Sequence, residues 1–280
     1  MTTDPQTLDQ AAKARAFRDL HHREHAFIIP NPWDAGTARL LAQLGFEALA
    51  TTSAGFAFSL GQVDNTLTRS QVMRHLETIV AATPLPVSAD LENGFGDSPD
   101  TVAETIVLAA AAGVVGGSIE DGTTRPEDPI YAPGLAAERV RAAAAAARAL
   151  PFPFTLTARC ENYLVGRPDL ADTIQRLQAY QEAGADVLYA PGLSTADEIA
   201  AVVRSVDRPV NVVMGLKGVR LHLAELSALG VRRVSVGSAL ARAALGAFHR
   251  AATEMRERGT FDFAASAMSM KDLGERFTRA

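Results

Sequence analysis

Two hydrophobic periods alternate along this chain. From Phe27 onward, short uninterrupted apolar runs recur about every 25 to 35 residues, and each is followed by a longer stretch with apolar positions at three- and four-residue spacing. The runs are Phe27 to Pro30, Ala48 to Ser53, Val87 to Glu92, Gly117 to Glu120, Phe154 to Glu161, Val187 to Pro191, Val210 to Met214 and Val234 to Gly237. Helical stretches are expected at Asp34 to Leu44, Arg69 to Ala82, Pro99 to Ala112, Ala136 to Leu150, Asp169 to Ala183, Thr195 to Ser205, Leu221 to Leu229 and Ala239 to Glu257, with a leading amphipathic helix over Leu8 to Glu24. Gly45, Gly113, Gly184 and Gly230 fall where a helix ends in a residue of positive φ.

Buried strand followed by helix, eight times over, predicts parallel βα units. Eight units in about 250 residues is the count for a (β/α)8 TIM barrel, whose functional groups gather at the C-terminal ends of the strands. A doubly wound sheet is the competitor, but the first strand runs into Asn31-Pro-Trp-Asp rather than a Gly-x-Gly-x-x-Gly phosphate turn. No linker composition divides residues 1–280, so one barrel domain is expected, with a tail from about Gly259. Tyr131-Ala-Pro-Gly-Leu recurs at Tyr189-Ala-Pro-Gly-Leu without similarity around it, and is read as coincidence.

Composition narrows the partners. With 48% hydrophobic and 21% charged residues the chain can bury a large core, and a net charge of -5 leaves no basic excess for nucleic acid or an anionic membrane. There is no basic-then-apolar leader, and no apolar run approaches the roughly 18 residues of a membrane helix, so a cytoplasmic protein is expected. The single cysteine, Cys160, excludes an internal disulfide and a thiolate cluster.

Candidate chemistry lies at the predicted strand ends: Trp33 and Asp34, then Thr52, Ser53 and Asp64, then Asp90 and Glu92, Glu120 and Asp121, Arg159 and Glu161, Tyr189, Asn211, and Ser235 and Ser238. A barrel would turn these into an acidic bowl with one arginine. If Val87 to Glu92 is extended throughout, Asp90 and Glu92 share a face, and two like charges there need a cation. Oxygen ligands without histidine or cysteine select Mg2+, or Mn2+, over zinc, with Asp90 the expected direct ligand and Glu92 and Glu120 acting through water. Solvated loop carboxylates are the alternative for any one of these acids. Arg159 shares a face with Glu161, as a structural ion pair or as a fork held for a substrate carboxylate or developing enolate. Gly94 and Gly96 give a flexible backbone beside the acids, or an ordinary turn. Cys160 faces the helix layer as a buried thiol, and the six histidines fall on or near helices rather than at strand ends.

Together these residues resemble the isocitrate lyase and phosphoenolpyruvate mutase superfamily over about Phe27 to Phe248. The resemblance rests on Ala50-Thr-Thr-Ser53, Ser59-Leu-Gly-Gln-Val-Asp64, Asp90-x-Glu92-x-Gly-x-Gly96, Ser118-Ile-Glu-Asp121 and Ala158-Arg-x-Glu161 in that order. It implies a (β/α)8 barrel with Mg2+ at the third strand, acting on C–C or P–C bonds beside an oxo acid's carboxylate through an enolate. Position by position, it implies Asp90 as direct ligand, Glu92 and Glu120 as water-mediated ligands, Asp64 as a further acid, and Thr52 and Ser53 as the carboxylate- or phosphonate-binding turn. Arg159 matches the arginine that neutralises substrate. It also implies a swapped C-terminal helix, with about 259–280 packing on a neighbouring subunit, and a homotetramer built as a dimer of dimers.

The segment Gly122-Thr-Thr-Arg-Pro-Glu-Asp-Pro-Ile-Tyr131 stands where isocitrate and methylisocitrate lyases carry Lys-Lys-Cys-Gly or Lys-Arg-Cys-Gly. The chain therefore resembles methylisocitrate lyase or carboxyphosphonoenolpyruvate phosphonomutase without that loop's cysteine, and Gly122 to Pro133 is expected to be a lid in which Arg125 or Tyr131 substitutes.

The expected function is Mg2+-dependent lysis or decarboxylation of a small 2-oxo or 2-hydroxy di- or tricarboxylate. Catalytic roles fall to Arg159, Asp64 and Glu120, and substrate contacts to Trp33, Thr52, Ser53, Gly94, Arg159, Tyr189 and Asn211. The alternatives are a P–C mutase or hydrolase on phosphonopyruvate-like substrates and a barrel that binds oxo acids without turnover. A further one is an aldolase-like barrel holding phosphate at Gly215 and Gly237-Ser238, with Lys217 just beyond the seventh strand.

Overall fold

The computed structural model describes residues 5–216 and 220–278, so Lys217 lies outside the described residues. Eight strands are present: β1 Phe27–Ile29, β2 Leu49–Ala50, β3 Val87–Asp90, β4 Gly116–Glu120, β5 Thr155–Arg159, β6 Val187–Tyr189, β7 Val210–Val213 and β8 Arg233–Ser235. They form one parallel sheet in the order β1-β8-β7-β6-β5-β4-β3-β2. Its two ends meet where Ala50 N donates to Pro30 O at 3.1 Å and Asn31 Nδ2 to Thr51 O at 3.0 Å. The sheet is thus a nearly closed barrel, and the (β/α)8 expectation holds.

The helices are α1 Pro5–Leu20, α2 Ala35–Gln43, α3 Ser53–Ser59, α4 Arg69–Ala81, α5 Pro99–Ala111, α6 Pro133–Arg148, α7 Leu170–Ala183, α8 Ala196–Arg204, α9 Leu223–Ala228, α10 Ala239–Arg258 and α11 Met270–Thr278, with a 3-10 turn at Asp262–Ser266. Each boundary has a local cause. Asp34, Thr68 and Thr195 close capping boxes on α2, α4 and α8, which satisfies the free N–H groups of the first turn. Gly184 ends α7 at φ 110°, a conformation that costs a residue with a Cβ. Gly45, Gly113 and Gly230 also take positive φ, as their positions predict.

Helix α1 crosses the N-terminal end of the barrel. Gln10 Nε2 donates to Ala110 O at 2.8 Å and Val114 O at 3.1 Å, while the fully buried Phe17 ring fills the space that a side chain at Gly116 would occupy. The opposite end, where the strands terminate, stays open as the mouth.

Three expectations are corrected here. The second buried run stops at Ala50, because Thr52 turns the chain and accepts a bond from Gly55 N at 3.2 Å, so Ser53 begins the unpredicted helix α3. The third strand ends at Asp90, and Glu92 has φ 48°, outside extended geometry. Helix α6 starts at Pro133, whose fixed φ suits a first turn, three residues before the expected Ala136. At the C-terminus α11 lies against α2 of the same chain, with the Phe277 ring near Gly36 and Gln43 Nε2 bonded to Arg276 O.

Candidate active site

Asp90, the last residue of β3, is held by its neighbour strand. Its N–H donates to Thr51 Oγ1 at 2.9 Å, and its Oδ2 accepts the Ser53 N–H at 3.0 Å. One carboxylate oxygen is thereby oriented by the first turn of α3. Asp64 arrives on the exposed loop after α3, accepts from Asn65 N at 3.1 Å, and has its pKa raised by partial burial and by the like charge of Asp90, against the pull of the nearby Ser53 side chain.

Glu92 leaves the strand yet still reaches the cluster. It is buried, its Oε1 has no hydrogen-bond partner, and burial with the charges of Asp90 and Asp64 pushes it up to about 8. The chain turns through Gly94 at φ 81°, where an added Cβ would come within 3.0 Å of Val102 on α5. Gly94 therefore has a packing reason to be glycine, on the side facing α5.

Arg159, ending β5, is the cation that meets these acids among the described residues. Nη2 bonds Glu161 Oε2 at 3.1 Å, Nε bonds the other Glu161 oxygen, and Nη1 lies 3.2 Å from Glu120 Oε2 at the end of β4. Both expected arrangements are thus combined: Glu161 holds the fork, and Glu120 shares it. The guanidinium also sits 5.3 Å from the Tyr189 ring, at the end of β6. Desolvation and crowding push Glu120 and Glu161 upward against the pull of Arg159, whose own pKa those two acids raise.

One guanidinium faces Asp64, Asp90, Glu92, Glu120 and Glu161. Buried like charges at this ratio are costly, and the orphaned Glu92 Oε1 is a polar atom waiting for a partner. Among the described residues no three histidine, cysteine, aspartate or glutamate side chains form a ready cage. The donor set fits a hard cation held by one direct carboxylate and otherwise through water, as Mg2+ prefers. Asp90, Glu92 and Glu120 are the residues that would hold it.

The other site candidates separate. Ser53 joins the acid cluster through its N–H on Asp90 Oδ2, whereas the buried Thr52 caps α3 by accepting from Gly55 N. Trp33 is half-buried at the end of β1, its N–H on Thr37 Oγ1 at 3.2 Å and its Cβ beside Gly55 of α3. Asn211 is buried at the start of β7, below the mouth, between Arg233 and Ser235. Cys160 is fully buried, as expected, with its thiol pushed upward by desolvation.

The segment after β4 is pinned rather than loose. Gly122 bridges Ile130, Arg125 Nη1 pairs with Asp97 at 2.9 Å, and the buried Tyr131 hydroxyl donates to Asp97 Oδ1 at 2.6 Å and accepts from Asn93 Nδ2 at 3.2 Å. Arg139 of α6 lies 4.1 Å from the Tyr131 ring and bonds the carbonyls of Gly96, Asp97 and Asn93. Tyr131 and Arg125 thus tie this segment to the turn after β3. Asp121 supports the site from behind, accepting from Glu161 N at 2.7 Å, from Arg176 Nη1 at 3.3 Å and from the Tyr180 hydroxyl. Arg139, Arg176 and Tyr180 had no place in the sequence reading, although each sits on an otherwise apolar helix face, which is the signal that finds them.

The raised Glu92 pKa fixes a pH dependence. Its folded value, about 8, exceeds the ordinary 4.5, so the folded state holds the extra proton and stability falls as pH rises between those values. Metal-free protein is expected to lose melting temperature across that window. Saturating Mg2+, which favours the charged carboxylate, should flatten the loss; scanning calorimetry with EDTA and with Mg2+ measures both arms.

A profile described as "Phosphoenolpyruvate phosphomutase" matches residues 17–256. A Burkholderia cenocepacia J2315 structure provisionally described as a lyase/mutase superposes with TM-score 0.95 at 69% identity, covering 96% of each chain. The 2,3-dimethylmalate lyase of Eubacterium barkeri is 30% identical over 227 residues, which is 78% of this chain and 77% of that one. A structure of phosphonopyruvate hydrolase with oxalate and Mg2+ superposes with TM-score 0.85 at 27% identity, covering 95% of each chain. With the barrel and its acidic mouth in place, this chain belongs to the phosphoenolpyruvate phosphomutase family and is an enzyme of the lyase and mutase superfamily that also contains isocitrate lyase.

Proposed function

We propose that this enzyme is a Mg2+-dependent carbon–carbon lyase acting on a small 2-oxo or 2-hydroxy di- or tricarboxylate, by C–C cleavage or decarboxylation. The observation that carries the reading is the mouth in which Asp64, Asp90, Glu92 and Glu120 gather around the Arg159 guanidinium. Similarity to 2,3-dimethylmalate lyase supports a C–C substrate, and similarity to a Mg2+- and oxalate-bound hydrolase supports the metal and a planar dioxo ligand.

When bound, Mg2+ supplies positive charge to the oxygen on which the enolate charge develops. Asp90 is held for that task by Thr51 and by the Ser53 N–H. Arg159 presents a fork already oriented by Glu161, so little order is lost on binding a carboxylate. Ser53, at the start of α3 beside Asp90, is the residue proposed to meet a second carboxylate, with Thr52 fixing that turn and Trp33 packed next to it through its Cβ contact with Gly55. The pinned segment Gly122 to Tyr131 begins beside Glu120 and Glu161 and is tied to the turn after β3, which makes it the segment proposed to flank bound substrate.

An NMR product screen with Mg2+ against oxaloacetate, isocitrate, methylisocitrate, substituted malates and phosphonopyruvate tests the assignment. Conversion of any carboxylate substrate with C–C scission is expected. Conversion of phosphonopyruvate alone would replace the reading with P–C chemistry, and oxo-acid binding without product would make the protein a binding barrel.

A homo-oligomer is part of the proposal. Helix α10 and the segment after it expose Phe248 at 71%, Phe261 at 66% and Met270 at 87%, apolar surface that a second copy would cover. Light scattering should give a multiple of the chain mass. A monomer at micromolar concentration would remove this element.

A further inference from the structure

The floor of the mouth contains a buried arginine without an acid. Arg233, 5% exposed at the start of β8, donates from Nε to Asn211 Oδ1 at 2.8 Å and from Nη2 to Thr157 Oγ1 at 3.0 Å, and Nη1 lies 3.4 Å from His21 Nε2 on α1. No carboxylate pairs with it among the described residues, so its role is not charge neutralisation within the barrel.

Its chemistry sets a direction. A guanidinium only donates, so the Asn211 atom facing it must be the carbonyl oxygen, and the Asn211 NH2 must face Ser235, at 3.0 Å from Oγ. That NH2 also only donates, which makes Ser235 Oγ an acceptor and leaves its proton for the next group. The next group is Tyr189, which the Ser235 hydroxyl approaches closely enough to pull against the rise in the phenol's pKa, as a donor to its oxygen does. Each donor in the series Arg233, Asn211, Ser235 thus points toward the Tyr189 oxygen. With that oxygen accepting from below, the Tyr189 proton is free for an acceptor in the mouth, beside Arg159.

We propose that the Tyr189 hydroxyl is the acid that protonates the enolate carbon, and that Arg233, Asn211 and Ser235 are positioning residues that keep its proton turned toward substrate. This rests on the proposed enolate chemistry and fills the place left by the absent lid cysteine. When the C–C bond breaks, its electron pair stays on carbon. The Tyr189 O–H bond then breaks and a C–H bond forms at that carbon. The phenolate left beside the Arg159 guanidinium regains its proton from water. Burial keeps the phenol protonated at neutral pH, with its pKa pushed up to about 12.

Run backwards, the same group deprotonates a bound oxo acid, which gives a test without C–C chemistry. Pyruvate is incubated with Mg2+ and enzyme in D2O, and loss of its methyl proton signal is followed by NMR; Mg2+-dependent oxalate binding is measured in parallel by calorimetry. The starting protein should exchange pyruvate protons and bind oxalate. Tyr189→Phe should lower exchange about 100-fold or more, the ordinary contribution of an acid or base, with oxalate affinity within about threefold, a small change on the affinity scale.

Asn211→Asp is the decisive second variant. An aspartate accepts from Arg233 and also from Ser235, which reverses the chain so that Ser235 now accepts the Tyr189 proton. It should lower exchange as strongly as Tyr189→Phe while melting no earlier than the starting protein, because Arg233 gains a carboxylate. Asn211→Ser, whose hydroxyl can still accept from Arg233 and donate onward, should keep more of the exchange than Asn211→Asp. Full exchange in Tyr189→Phe would overturn the acid assignment, and full exchange in a folded Asn211→Asp protein would overturn the positioning chain, both with the metal-enolate reading intact. Absence of both exchange and oxalate binding in the starting protein would overturn the enolate reading and this proposal with it.

Discussion

Asp90→Asn is expected to abolish Mg2+ binding and to lower turnover by at least about a thousandfold, roughly 4 kcal/mol of barrel-mouth charge stabilisation, while the metal-free protein becomes no less stable. Asparagine keeps the shape and can still accept the Ser53 N–H that now bonds Asp90 Oδ2. What it removes is a charge that raises both Glu92 and Asp64. The two effects therefore have opposite signs in the two assays. A variant that lost activity simply by misfolding would melt early at every pH. The expected variant melts at or above the starting protein in EDTA, most clearly at alkaline pH where Glu92 is otherwise forced to ionise. Isothermal titration with Mg2+ and calorimetric melting separate the two outcomes.

Arg159 carries the second large effect, with the stability change in the other direction. Its guanidinium is the partner of both Glu161 and Glu120. Arg159→Met leaves two buried carboxylates without a cation, at a cost of about 3–5 kcal/mol for breaking a buried pair. Both carboxylates already lie above their ordinary range, so the variant should hold protons on them. The folded-state pKa values rise further, and the penalty is small at acid pH and grows as pH increases. Arg159→Lys keeps a charge but not the two-pronged geometry, and one ammonium cannot serve Glu161, Glu120 and a substrate carboxylate together. Most of the stability should return in the lysine variant, while kcat/KM stays down by about 100-fold or more, comparable to losing one preorganised donor. Denaturant melts at two pH values and steady-state kinetics read these out.

The alternation of buried runs and amphipathic stretches made the barrel readable, because every parallel strand of a barrel is covered on both sides and its helices are covered on one. The acids were readable for the same reason: a carboxylate at the end of an apolar run has nowhere to go but the mouth. The path to Glu92 was different from the expected one. Alternation along a strand would place it beside Asp90, whereas the strand ends at Asp90 and a positive φ at Glu92 brings the side chain back. Helix α3 is hard to find because Ser53-Ala-Gly-Phe-Ala-Phe-Ser59 is only about two turns, with a glycine inside it and no helical period. Its first N–H, on Ser53, is nonetheless what orients Asp90.

Asn211 shows where a strand-end rule fails. It was placed in the mouth because it belongs to the seventh strand, yet it is the second residue of β7 and lies deep in the barrel. Arg233 stands just before the eighth apolar run, where nothing in the sequence says which way its side chain faces. Only the three-dimensional register, which sets Arg233 opposite both Phe27 and Asn211, reveals that it points inward. Long-range polar chains of this kind leave no periodic trace in a sequence, because their members come from different strands.

The claim on which everything else depends is that the acids ending β3 and β4 are a metal centre opposed by Arg159. Crystals grown with Mn2+ and oxalate, with data collected at a wavelength where manganese scatters anomalously, test it directly. One anomalous peak is expected in the mouth, in direct contact with the Asp90 carboxylate, with Glu92 and Glu120 reached through water and oxalate lying between the ion and Arg159. An oxalate-bound mouth with no anomalous peak at Asp90, or a peak elsewhere on the molecule, would contradict it.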